Sequence, residues 1–156
     1  MKFSVFTAST PDWTPAEAAE TLAAQGWDGI EWRVVDDRPA AGEAIPAERS
    51  FWAGNNSTWQ YTGIRDRVGD IALITDGAGL DYSGIGGYQP AADHDGVETM
   101  LRVTAELGAR QGRVTMPMYR RERERTGATY GELFDRTRAD LEWAAGRAAD
   151  LGVKAL

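Results

Sequence analysis

The sequence predicts an α/β protein in which parallel strands alternate with helices. Strand-like and helix-like segments alternate four times along the 156 residues, which is the pattern of a parallel sheet. The predicted helix-to-strand connections are short and end on glycine, whereas the strand-to-helix connections are longer and polar or aromatic. These glycines are Gly26, Gly79, Gly108 and Gly152. α/β enzymes commonly have short loops on one side of the sheet and longer, site-bearing loops on the other.

The first two strands and the helix between them have clear sequence signals. Residues 2–7 form a predicted strand with an apolar content of phenylalanine and valine. A capping box at 14–17, with proline at the first helical position, begins a helix that ends at about Gln25. The second strand is predicted at 29–35, because apolar residues there fall at every second position.

The middle of the chain begins with a long connection at 36–62. It is predicted to be irregular because it is rich in glycine, proline and asparagine. An apolar stripe at helical spacing then predicts a helix at 63–76. The third strand is predicted at 80–85.

Two further units follow with the same order of elements. A capping-box pattern beginning at Asp95 predicts the third helix, and residues 113–118 form the predicted fourth strand. The pattern beginning at Thr129 predicts a fourth helix. The buried side of this helix is predicted to carry Phe134, Leu141, Ala145 and Ala148. A fifth strand begins at Val153, and because a parallel sheet needs covering we expect residues 1–156 to be a single, partial domain.

The composition argues against several classes of protein. The chain has no cysteine, which excludes disulfides, thiolate metal sites and a cysteine nucleophile. A formal charge of −7 argues against nucleic acid or an anionic membrane surface as a partner. The apolar start is too short for a signal peptide, and no run of about 18 apolar residues occurs. We therefore expect a cytoplasmic protein.

Glu31 and Arg33 are the first candidates for a functional site. They alternate with the apolar residues of the second strand, so both side chains should face away from the helices. One interpretation is a structural ion pair or network, and the other is a pair that positions a substrate. The sequence leaves both open.

The connection after the second strand supplies two more candidates, Asn55 and Asn56. They lie among the aromatic residues of 51–59, and amides beside aromatic rings suit a polyol. The alternative is a loop that packs over the sheet through its own tryptophans. Tyr88, after the third strand, and Tyr119, at the end of the fourth, are candidate ligand contacts.

Three other patterns are not interpreted as catalytic or cofactor sites, and the first of them, the glycines at 84–87, should let the backbone approach a ligand or a neighbouring loop. The glycines at 84–87 do not make a dinucleotide fingerprint, because Gln89 stands where the third glycine is needed. His94, the single histidine, is interpreted as part of a solvated loop at 93–95. The alternating arginines and glutamates of 120–125 predict a self-neutralised exposed loop.

Four stretches of the sequence carry a resemblance to a known family. They are Thr-Pro-Asp-Trp-Thr-Pro at 10–15, Gly-Trp-Asp-Gly-Ile-Glu-Trp-Arg at 26–33, Phe51-Trp52 with Asn55-Asn56, and Glu-Leu-Gly-Ala at 106–109. On these residues the chain resembles the xylose isomerase-like TIM-barrel superfamily, in particular the sugar phosphate isomerases/epimerases. The resemblance covers the whole chain but only the N-terminal half of the family's barrel: about four βα units plus the start of strand five.

The resemblance implies a metal-dependent interconversion of aldose and ketose, or of epimers, in the complete enzyme. The family binds its divalent metal (Mg, Mn, Co or Zn) through Glu, Asp and His at the ends of later strands, so it implies no metal ligand in this chain and no activity of this chain alone. The implied partner is a small sugar or sugar phosphate. The substrate-binding candidates are Glu31, Arg33, Asn55, Asn56, Tyr88 and Tyr119.

Two alternatives remain open at this point. Half barrels could associate through their open edges as a homodimer, giving a binding module without catalysis. A self-contained flavodoxin-like domain is the other alternative. Strand order distinguishes it, because a barrel segment follows the chain order whereas a doubly wound sheet reverses it.

Overall fold

The chain folds into a five-stranded parallel sheet with helices in the connections. The computed structural model describes residues 1–37, 44, 47 and 50–156; most of the residues at 38–49 in the predicted irregular connection lie outside this description. The strands are β1 (Ser4–Phe6), β2 (Gly29–Val34), β3 (Asp81–Gly87), β4 (Gln111–Gly112) and β5 (Lys154–Ala155). The predicted α/β class with parallel strands is confirmed.

Helices occupy the segments between consecutive strands. They are α1 (Pro15–Ala24), α2 (Ser50–Ala53), α3 (Val68–Gly77), α4 (His94–Glu106), α5 (Tyr119–Thr126) and α6 (Tyr130–Asp150), with short 3₁₀ segments at Thr7–Ser9 and Ile64–Arg67. The order in the sheet is β1-β2-β3-β4-β5. This order follows the chain without a reversal, which is not the order of a doubly wound sheet.

The apolar core lies between the sheet and one layer of helices. Alternate residues of β2 (Ile30, Trp32 and Val34) are fully buried on this side, as the period of two predicts. The Trp32 indole N–H donates to Thr75 Oγ1 of α3 at 2.9 Å, so the one polar atom of this buried ring is satisfied. Residues of α1, α3 and α4 complete this cluster, and residues of α4 and α6 form a second one around β4 and β5.

Local sequence signals place most of the helix ends correctly. The capping boxes at Thr14 and Thr129 are both formed, each with its glutamate bonded back to the cap. The four glycines predicted to end helices all have positive φ, for example 72° at Gly152. A left-handed φ is strained for any residue with a Cβ, which explains glycine there.

Three expectations about the bounds and types of elements are wrong. The third helix begins at His94 and is capped by Asp93, whose side chain accepts from Gly96 N, rather than by Asp95. The fourth strand is shorter and earlier than 113–118, because only Gln111–Gly112 pairs with β5. The arginine-rich segment is the helix α5 rather than a loop.

The remaining corrections concern burial. Phe134 is 54 % exposed and Ala145 is also exposed, whereas Ala144 and Ala148 are the buried residues of α6. His94 is not a solvated loop residue, since its ring stacks on Trp143 with 3.9 Å between ring centroids. No helix in the described part of the chain combines the length and the apolar character needed to cross a bilayer.

Candidate functional site

The face of the sheet opposite the helices carries the charged residues of the strands. We call it the inner face and define it by Phe6, Glu31, Arg33, Gly86 and Arg113. Glu31 lies in the middle of β2, whereas Phe6, Arg33, Gly86 and Arg113 lie near, at or directly after the carboxyl ends of their strands. In parallel sheets this is the edge at which ligand sites form.

No side chain projects from β3 at the centre of the inner face, because position 86 is a glycine. A Cβ built on Gly86 would lie 2.5 Å from Phe6 Cε2 and 3.1 Å from Glu31 Oε1. Real Cβ atoms do not approach other atoms so closely, so Phe6 and Glu31 pack directly over the backbone of β3. The glycine therefore allows side chains from β1 and β2 to cover the next strand.

Across this glycine, Glu31 of β2 pairs with Arg113, which follows β4. Arg113 Nη2 donates to Glu31 Oε1 at 2.7 Å. The Arg113 guanidinium lies 4.5 Å from the centroid of the Phe6 ring and 5.8 Å from that of Tyr88. The Glu31 and Arg113 side chains are 22 % and 37 % exposed, so a ligand on the inner face can reach both.

Arg33 is the other cation of the inner face, and it is buried and already bonded. Its Nη1 donates to Thr58 Oγ1 at 2.7 Å and to Trp52 O at 3.4 Å, while Nη2 donates to the Asp37 carboxylate. The guanidinium lies 5.5 Å from the Trp52 ring centroid and 5.4 Å from that of Tyr88. Arg33 thus joins β2 to the following loop and to the end of β3.

Asn55 supports this arrangement from beneath the loop. Its Nδ2 donates to the backbone oxygens of Thr7 and Ala8 at 3.1 and 3.3 Å. Its Oδ1 accepts from Thr58 Oγ1 at 2.9 Å and from Ser57 Oγ at 3.0 Å. Asn55 is fully buried, so it fastens the loop to the end of β1 and reaches Arg33 through Thr58.

Of the six predicted site residues, Arg33 and Tyr88 are in contact, and Glu31 is joined to Tyr88 through Arg113. Asn55 is joined to Arg33 through one intervening side chain. Asn56 is exposed, and its backbone N–H donates to Pro11 O at 2.8 Å. Tyr119 lies on α5 and contacts Tyr130 edge to face, with ring centroids 5.3 Å apart, as part of an exposed aromatic cluster with Phe134.

Sequence reasoning missed Arg113 and Phe6. The sequence could have indicated Arg113, because side chains alternate between the two faces of a strand and Arg113 follows a glycine that faces the helices. A Cβ on Gly112 would lie 2.8 Å from Thr104 Oγ1 of α4, so Gly112 faces the helices and Arg113 the inner face. Phe6 was recognised only as apolar content of the first strand. Asp37 carried no signal, because its role depends on Arg33.

The described residues do not fit a metal centre. Within residues 1–37, 44, 47 and 50–156, no three His, Asp or Glu side chains lie close enough to hold an ion. His94 Nε2 is instead bonded to Asp140 Oδ1 at 2.8 Å.

A scan against protein-family models and a search of curated proteins found no match to the chain. The function is therefore inferred from the residues of the inner face.

Proposed function

We propose that the inner face binds a sugar, and that the chain is the substrate-facing part of a sugar or sugar-phosphate isomerase or epimerase of the xylose isomerase-like superfamily. In this proposal the five strands belong to the first half of a (β/α)₈ barrel. The complete enzyme interconverts aldose and ketose, or epimers, with a divalent metal that is held outside the described residues.

The topology supports the barrel. All described strand pairs are parallel and follow the chain order, and α1, α3, α4 and α6 contribute to a core on the same side as Ile30, Trp32 and Val34. In such barrels the face away from the helices points inwards, and catalytic and binding groups lie at the carboxyl ends of its strands. Arg113 directly follows the carboxyl end of β4, and Glu31, in the middle of β2, is bonded to it.

The observation that carries the proposal is the Glu31–Arg113 pair between the rings of Phe6 and Tyr88. A carboxylate has two oxygens that accept hydrogen bonds, and Arg113 occupies only Oε1 of Glu31 among the contacts described. The second oxygen suits a sugar hydroxyl, while the further N–H groups of Arg113 suit a hydroxyl or carbonyl oxygen. The two rings offer flat apolar surface for the C–H side of a sugar.

Binding of a sugar panel to Glu31→Gln tests this proposal. The panel contains D-xylose, D-fructose, D-xylulose and the terminal phosphate ester of D-xylulose, and binding is measured by isothermal titration calorimetry. We expect Glu31→Gln to weaken binding of the best neutral sugar by about tenfold or more, because it replaces a charge-assisted hydrogen bond with a neutral one. Glu20→Gln, on the exposed side of α1, is the matched control and should bind as the unaltered chain does. Failure of every sugar in the panel to bind would exclude the proposal.

Self-association is a second candidate function, favoured by the apolar surface near β5. Met116, Phe134 and Leu141 line an apolar groove, and Met116, Phe134 and Leu156 are each more than half exposed. β1 and β5 are the outermost of the described strands, and such edges pair readily with another copy. Sedimentation should then give a dimer mass, and a monomer at every concentration would contradict this candidate.

A further inference from the structure

We propose that the inner face selects an unphosphorylated sugar over its phosphate ester, because each guanidinium of this face is already neutralised by its own carboxylate. This inference rests on the proposed function and narrows its class of substrate. The two pairs are Arg113 with Glu31 and Arg33 with Asp37.

Arg113 is the accessible cation, but Glu31 accompanies it. A phosphate bonded to Arg113 would lie within a few ångströms of the Glu31 carboxylate, since the two side chains are only 2.7 Å apart. A phosphate monoester carries a charge of about −1.5 to −2 near neutral pH. At such short range its repulsion from Glu31 is comparable to its attraction to Arg113, so the arginine provides little net attraction for an anion.

Arg33 is not available to replace Arg113. The Arg33 and Asp37 side chains are 4 % and 15 % exposed, and Arg33 Nη1 is used by Thr58. If Arg33 left this pair to meet a phosphate, the Asp37 carboxylate would stay largely buried without its cation, which is costly. The two aromatic rings against the Arg33 guanidinium, Trp52 and Tyr88, also hold it in place.

A neutral polyol fits the same groups without breaking either pair. Glu31, Arg33, Asp37 and Arg113 together carry no net charge. A sugar hydroxyl both donates and accepts hydrogen bonds, so it can donate to the Glu31 carboxylate and accept from Arg113 at the same time. The charge pattern of the inner face therefore favours hydroxyl groups over a dianion.

The test compares D-xylulose with its terminal phosphate ester by calorimetry on the unaltered chain. We expect the free sugar to bind at least about tenfold more tightly than the ester. In Glu31→Gln the repulsion is removed and Arg113 is released, so the ester should gain about tenfold in affinity while the free sugar loses affinity. This gain should shrink as salt is added, because it comes from charge. Glu20→Gln should change neither affinity.

The outcomes distinguish a failure of this inference from a failure of the proposed sugar-binding function. If the ester binds the unaltered chain as tightly as the free sugar or more tightly, the inference is wrong and the sugar-binding function stands. If the unaltered chain binds neither compound nor any other sugar of the panel, both fail. The first comparison uses the unaltered chain, so it holds even if Glu31→Gln does not fold.

Discussion

Replacing Gly86 with alanine is the most direct test of how the inner face is built. Gly86 has a φ that an alanine can adopt, since it is not among the glycines with positive φ. Any effect of the substitution must therefore come from the added methyl group. That group would lie 2.5 Å from Phe6 Cε2, 3.1 Å from Phe6 Cζ and 3.1 Å from Glu31 Oε1.

The size of the effect follows from these distances. Carbon atoms in good contact are about 3.5–4.0 Å apart, so the Phe6 ring must move by about 1 Å. Overpacking of this kind costs about 1–3 kcal/mol. Alanine also restricts the unfolded chain, which returns about 0.4–1 kcal/mol. We expect Gly86→Ala to lower the free energy of unfolding by about 1–2 kcal/mol and to weaken sugar binding through the displaced Glu31.

Urea denaturation, monitored by circular dichroism, measures the change in the free energy of unfolding. Gly146→Ala is the matched control, because Gly146 is exposed on α6, lacks a positive φ, and a Cβ there would meet nothing within 4 Å. Alanine is the better helix former by about 1 kcal/mol, so the control should be more stable than the unaltered chain. If Gly86→Ala leaves the free energy of unfolding unchanged or raises it, Phe6 and Glu31 do not pack over β3 and the reasoning fails.

Two further substitutions test the core and the charges on the helices. Thr75→Val removes the acceptor of the buried Trp32 N–H, so it should lower the free energy of unfolding by about 1–3 kcal/mol; a loss below about 0.5 kcal/mol in urea would contradict this. Hydrogen bonds from Arg147 and then Arg102 hold the pKa of Glu98 below its usual value. A carboxyl with a lower pKa in the folded state stabilises at neutral pH, and this contribution is lost as the pH falls through the folded pKa. Unfolding in urea should therefore show a smaller loss of stability on acidification for Glu98→Gln than for the unaltered chain, and equal losses would contradict the assignment.

The fold could be predicted where local chemistry decides it. The helix at Thr129 begins where predicted because its capping box involves only residues three positions apart. The predicted start of α4 was wrong because Asp93 and Asp95 can each cap a helix. Only the observed backbone shows that Asp93 is the cap. The predicted bounds of β4 were wrong because the length of this strand depends on its pairing with Lys154–Ala155, which lies far along the chain.

For the candidate site, the sequence predicts which face of the sheet a residue lies on but not which residues it contacts. Alternation in β2 places Glu31 and Arg33 on one face, because the period of two follows from the strand itself. It does not say what each residue contacts. The partner of Glu31 is 82 positions away. Asp37, the partner of Arg33, is only four positions away, but it lies beyond the end of β2, where alternation no longer applies. Asn55 is a predicted ligand contact, and in the structure its amide N–H groups donate to the backbone of Thr7 and Ala8, after β1.

The separation of Glu31 and Arg113 along the chain also bears on how the protein folds. Their contact forms only when three strands have come together, and contacts between distant positions form slowly. A nascent or partly unfolded molecule that has completed only β1 and β2 exposes a lone carboxylate where the folded one has a neutral pair. The sugar binding that we propose would therefore require β2, β3 and β4 to be assembled, and an intermediate that lacks β4 should not bind.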